Sequence, residues 1–214
     1  MEHKQSKIGF LTVIVGATGT GKSSIARDIF KDTTHGCAFD IQQEYDLKGL
    51  HEFVRGEKPI KFSVEPAYYE IEDYVRIIEN SKGFTFLQEE STGYIDSHFF
   101  NSKIGKRLIS CVVSKRHIQK ESGGGNNYIF IFHSLKSVPP KLWTYIDFFF
   151  LFPTVEKDFD TSEPLILKAH SELDQDKRIP FKEYQISDYR VIVRTQHGKD
   201  NLEYIDNYLT KRTL

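Results

Sequence analysis

The segment Gly16-Ala17-Thr18-Gly19-Thr20-Gly21-Lys22-Ser23 constrains this chain more than any other, because its spacing, G-x-x-x-x-G-K-[ST], is that of a backbone loop built around phosphate. Its flanks match. Ile8 to Val15 is apolar and β-branched, as a buried strand is. Ser24 to Phe30 sets Ile25 with Ile29 and Ala26 with Phe30 at helical i,i+4 spacing. A glycine turn carrying Gly-Lys-Ser by accident has no reason to sit between a strand and a helix. Gly16, Gly19 and Gly21 let the backbone curl, so that successive N–H groups, those of Thr18 and Thr20 among them, converge on an anion. The helix starting near Lys22 aims its positive end, with Ser23 and Ser24, at the same point. Lys22 is placed for the β- and γ-phosphates and the Ser23 hydroxyl for Mg²⁺, which makes ATP and Mg²⁺ the expected ligands.

With 214 residues the chain can build one large α/β core. Its net charge of −1 supplies no global basic field, so any nucleic-acid contact must be local. Cys37 and Cys111 are the only cysteines and lack metal-type spacing, which fits two reduced thiols in a cytosolic setting. None of the histidines forms a His-Glu-x-x-His set. Met1 to Lys7 is polar rather than leader-like, and Phe148 to Phe152 is far too short to span a bilayer, so a soluble protein is expected.

Strand and helix patterns alternate beyond the loop. Strands are expected at Gly36–Ile41, Pro59–Val64, Phe84–Leu87, Tyr128–Phe132 and Tyr145–Phe152. Amphipathic helices are expected through Ile71, Tyr74, Val75 and Ile78 and through Ile104, Leu108, Cys111 and Val112. Gly123 to Asn127 reads as a plain turn, and Pro139-Pro140 opens a short helix carrying Trp143. The pattern predicts a mostly parallel sheet flanked by helices, the α/β fold of P-loop NTPases. Ile179–Ile186 and Arg190–Arg194 predict a C-terminal β-hairpin, while Asp158 to Lys177 has no assignable pattern. With no internal repeat, residues 1–214 read as a single domain, with a core at about 8–153 and a C-terminal extension over 154–214.

A triphosphatase needs carboxylates facing the phosphates. Glu89 and Glu90 close the strand Phe84–Leu87, and open α/β sheets place ligands at such strand ends. Glu89 suits the metal side and Glu90 the general base; a register using Gln88 and Glu89 remains open. His133 ends the next strand, from where it can sense the γ-phosphate if the two strands are neighbours. Lys103, Lys106, Arg107, Lys115, Arg116 and Lys120 form a basic stretch between them. On residue type alone that stretch is an ordinary solvated helix face.

Together these segments resemble the FtsK–HerA (RecA-like, ASCE) division of P-loop NTPases, in particular the short viral genome-packaging ATPases, over about residues 8–153. The resemblance rests on four features: the phosphate loop; Phe39-Asp40-Ile41-Gln42-Gln43-Glu44-Tyr45; Leu87-Gln88-Glu89-Glu90-Ser91; and Arg116-His117 followed by a strand ending in His133. Glu89 stands where that family usually has Asp, and His133 where Gln is usual. The resemblance implies an ATP-hydrolysing DNA translocase working as a homo-oligomeric ring, a pentamer or hexamer, with a capsid or portal-vertex protein as a further partner. It also implies a location in the host cytoplasm or with the virion. Arg116 is the candidate arginine finger acting across subunits, with Arg107 behind it. Three other readings stay open: a filamentous-phage-type assembly ATPase, a small-molecule kinase, and a nucleotide-gated assembly protein without turnover.

Overall fold

The computed structural model describes residues 9–41, 45, 47, 61–64, 70–89, 91, 99, 101–114, 125–154, 156, 164–173 and 190–193. Strand β1 (Leu11–Val15) is buried throughout and runs through the phosphate loop into helix α1 (Lys22–Lys31). Strands β2 (Gly36–Phe39) and β3 (Lys61–Val64) follow, then helix α2 (Ile71–Asn80) and strand β4 (Thr85–Gln88). Helix α3 (Lys103–Ser114) leads to β5 (Asn127–Phe132), two 3₁₀ turns (Leu135–Ser137 and Pro140–Tyr145) and β6 (Phe148–Leu151). Helix α4 (Pro164–Glu172) and strand β7 (Arg190–Val193) complete the described elements.

Among the described residues the strands form one sheet in the order β3-β2-β4-β5-β1-β6-β7. Every pairing is parallel except β6 with β7. Parallel strands need crossovers and are covered on both faces, and the strand sequences accordingly read as continuous apolar runs. Alternate side chains enter two apolar layers. Ile14, Ala38, Leu87, Ile129, Ile131 and Phe152 pack with Ile25, Ala26 and Phe30 of α1. The other layer joins Val13, Phe39, Phe86 and Phe130 to Tyr74, Val75 and Ile78 of α2, Leu108 and Val112 of α3, and Ile166 and Ala169 of α4. Phe86 and Tyr128, register partners on neighbouring strands, stack with centroids 5.9 Å apart. Burial pushes the Cys37 thiol well up, which suits a packed and inert group.

The α2 and α3 faces are joined by Arg107. Its Nε donates to Glu79 Oε1 at 2.7 Å and its guanidinium reaches Glu72 Oε1 at 3.1 Å. At the start of α2, the Asp73 carboxylate accepts the Glu70 N–H at 3.2 Å, satisfying one of the donors a helix start leaves open.

Several expectations need correction. The strand expected over 145–152 spans only Phe148–Leu151, because Tyr145 closes a 3₁₀ turn opened by Pro140. Helix α4 lies in the stretch that had no assignable pattern. Its signal was there: Pro164 at the first turn, then Ile166, Ala169, His170 and Leu173 at i, i+3, i+4, i+7, all four buried. Of the C-terminal hairpin, Arg190–Val193 is a strand, paired antiparallel to β6, and 179–186 lies outside the described residues.

Asn126 and Asn127 are not a plain turn but a clamp on the strand entries. Asn126 Oδ1 accepts Phe84 N at 3.1 Å, and its Nδ2 donates to Ser81 O at 2.9 Å. Asn127 Oδ1 accepts Phe10 N at 3.0 Å, beside the Asp147 carboxylate that accepts Leu11 N at 2.8 Å. These side chains satisfy backbone groups where the strands begin, a need that local periodicity does not reveal. Asn126→Ala leaves buried partners unmet and is expected to lower unfolding free energy by about 2–3 kcal/mol, read from urea denaturation.

Candidate functional site

The phosphate loop is pinned by the strands on either side of β1. Gly16 N donates to Phe132 O of β5 at 3.2 Å, and Ala17 N to Pro153 O beyond β6 at 2.8 Å. A Cβ on Gly16 would stand 2.5 Å from Phe152 Cβ and 2.9 Å from Thr20 Oγ1, so only glycine fits between loop and sheet. Gly19 and Gly21 take left-handed backbone, φ 80° and 97°, which turns the chain back over itself. The Ala17 carbonyl holds the curl from inside, accepting Thr20 Oγ1 at 2.8 Å and Lys22 Nζ at 2.7 Å. Thr20 and Lys22 are buried, Gly21 and Ser23 half-buried, and Thr18, Gly19 and Ser24 face outward. Gly21 occupies the N-cap of α1 and offers no side-chain cap, and the first turn carries no acid. The N–H groups and the dipole of that turn are thus directed at the loop.

Facing the loop are the ends of β2, β4 and β5, at the C-terminal edge of the sheet where α/β folds bind ligands. Asp40, Glu89 and His133 each follow directly on the last residue of their strand. Tyr45, packed in the α1-facing layer, bonds both Asp40 and Glu89 and so draws these two carboxylates to the α1 side. Strand β5 pairs with both β1 and β4, so His133 ends the strand between the loop strand and the acid strand.

Asp40 and Glu89 are 2% and 3% exposed, and Tyr45 connects them. The Tyr45 N–H donates to Asp40 Oδ2 at 3.1 Å, and the phenol donates to Glu89 Oε1 at 2.5 Å. The ring packs edge-on against Phe30 at 6.2 Å, while the Arg27 guanidinium lies 5.6 Å from its centroid. Burial raises the phenol's pKa beyond its usual range; the charge and hydrogen bond of Glu89 and the charge of Asp40 add to this, against the opposing charge of Arg27. Tyr45 thus remains a proton donor. The sequence by itself assigns this tyrosine no part, since a bond spanning 44 residues has no local signature.

Gln88 falls on the opposite face, in register with Phe130. Its Nε2 donates to the Glu89 carbonyl at 3.1 Å, and its Oε1 is buried without a partner among the described residues. Glu89, bonded to Tyr45, and Gln88 thus point to different sides of the sheet. Glu90 and Arg116 lie outside the described residues. Arg107 sits on the layer opposite α1 and is engaged by Glu72 and Glu79.

The donors suit a hard cation held partly by phosphate. Ser23 on the first turn of α1 and the buried carboxylates of Glu89 and Asp40 offer oxygen atoms of the kind Mg²⁺ takes, one or two such groups usually sharing it with substrate phosphates. Among the described residues no three or more His, Cys, Asp or Glu side chains are grouped so as to hold a metal ion by themselves. No described helix is long and apolar enough to cross a membrane.

No protein-family model matches the chain, and no curated protein matches it in sequence. Solved structures do. The chain is similar to the genome packaging NTPase B204 from Sulfolobus turreted icosahedral virus 2 in complex with AMPPCP, with 12% identity, a TM-score of 0.58, and 92% of this chain and 96% of that one covered. It is also similar to B204, the DNA-packaging ATPase from Sulfolobus turreted icosahedral virus, with 14% identity, a TM-score of 0.55, and 88% and 94% covered. At such identities the likeness shows the fold, a P-loop NTPase sheet. Gly16→Ala is expected to cost about 1–3 kcal/mol through the clash with Phe152 and Thr20, read as a lowered Tm.

Proposed function

We propose that this chain is an ATP-hydrolysing enzyme of the viral genome-packaging type, which moves DNA as a homo-oligomeric ring. The observation that carries the reading is the shared face: the loop with Lys22 and the buried Glu89 lie on the α1 side of the sheet, with β5 between their strands. The similar structures, a genome packaging NTPase and a DNA-packaging ATPase, favour this reading over a small-molecule kinase.

In this proposal the N–H groups of Gly16 to Ser24 cradle the phosphates and Lys22 balances charge on the β- and γ-oxygens. Ser23 and Glu89 would hold Mg²⁺, which would supply positive charge to offset that of the phosphates. Glu90 orients the attacking water and accepts its proton, and His133 reports the γ-phosphate by a hydrogen bond. Arg116 completes the charge balance from a neighbouring subunit; Arg107 is already engaged within its own subunit. Residues 1–214 act as one unit, a pentamer or hexamer with a capsid or portal-vertex protein as a further partner, in the host cytoplasm or with the virion.

ATPase rate measured with and without DNA over a salt series tests the reading. DNA is expected to raise the rate, and the stimulation to fade as salt rises. Lys22→Ala should lose about a hundredfold or more in kcat while remaining folded, with at most a small drop in Tm from the lost bond to Ala17 O. An undiminished rate in that variant removes the site. Glu90→Gln should bind ATP and fail to turn it over, and phosphate appearing on a small-molecule acceptor would favour a kinase instead.

A further inference from the structure

Of the contacts around the loop, the one between Tyr45 and Glu89 has a chemistry that packing alone does not require. A buried glutamate has three rotatable side-chain bonds, and a turn just past a strand does little to fix them. Tyr45 has two, and each end of the residue is held. Its backbone N–H is bound to Asp40 Oδ2 at 3.1 Å. Its ring meets Phe30 in an edge-type contact at 6.2 Å and the Arg27 guanidinium at 5.6 Å, both on α1. A stiff donor is thus aimed at one oxygen of a flexible acid.

We propose that Tyr45 is a positioning residue: its phenol holds Glu89 Oε1 and so sets the direction of the carboxylate on the phosphate-loop side of the sheet. This rests on the function proposed above. The helix that starts at the phosphate loop is the helix that grips the ring. The backbone of α1 from Lys22 to Arg27, the Arg27–Tyr45 contact and the Tyr45–Glu89 hydrogen bond therefore link the two walls of the site by a route outside the sheet. Helix α1 supplies the phosphate-facing turn at one end and the tyrosine's support further along, so displacement of either wall is passed to the other.

Tyr45→Phe in the full chain removes the donor and keeps the ring, its packing on Phe30 and its contact with Arg27. Mn²⁺ affinity, followed by electron paramagnetic resonance with a non-hydrolysable ATP analogue present, is expected to weaken by about tenfold, and kcat with Mg²⁺ to fall by a similar factor. KM for ATP should change little, because the loop contacts are untouched. A lowered Tm with Mn²⁺ affinity and kcat unchanged would mean a structural hydrogen bond only and overturns the proposal. Should Tyr45→Phe fail to fold, Arg27→Gln decides by the same readouts: weaker Mn²⁺ binding supports the role, and unchanged binding overturns it. If the wild-type chain neither binds Mn²⁺ with the nucleotide analogue nor hydrolyses ATP, the parent reading falls and this one with it. A competent wild type beside an unaltered Tyr45→Phe protein removes the positioning role alone.

Discussion

The placement of β5 between β1 and β4 is the constraint from which the rest of the site follows. In a parallel sheet, neighbouring strands lie about 4.8 Å apart, so one intervening strand sets the axes of the loop strand and the acid strand roughly 10 Å apart. The same strand supplies Phe132 O to anchor Gly16 and ends in His133, between the two walls.

The loop itself is held by geometry more than by composition. Two backbone bonds to the flanking strands, one glycine with no room for a Cβ and a single carbonyl accepting two side chains leave it little freedom. A loop organised before its ligand arrives loses less entropy on binding. On the facing wall the order comes from side chains, with Tyr45 and Asp40 substituting for the backbone bonds that a strand end lacks.

The opposite face of the sheet has a different task. Its aromatic layer of Phe39, Tyr74, Phe86, Tyr128 and Phe130 is a packed core, and Arg107 joins α2 to α3 across its rim. Asn126, Asn127 and Asp147 secure the strand entries at the end remote from the loop. Stability is thus concentrated where no ligand is expected.

Much of this was legible in the residues alone. The phosphate loop, α1, and the strands and amphipathic helices around Tyr74 and Leu108 rest on spacings of a few residues, and interactions of that range are written in adjacent letters. The period of helix α4 is also carried by neighbouring residues, though charged residues on either side break up the pattern. The side of the sheet taken by Glu89, the loss of Gln88 to the other face, the clamp made by Asn126 and the bond from Tyr45 could not be read that way. Each depends on which strands become neighbours, and strand order is chosen by how two apolar layers close over the whole sheet, not by any local run of sequence.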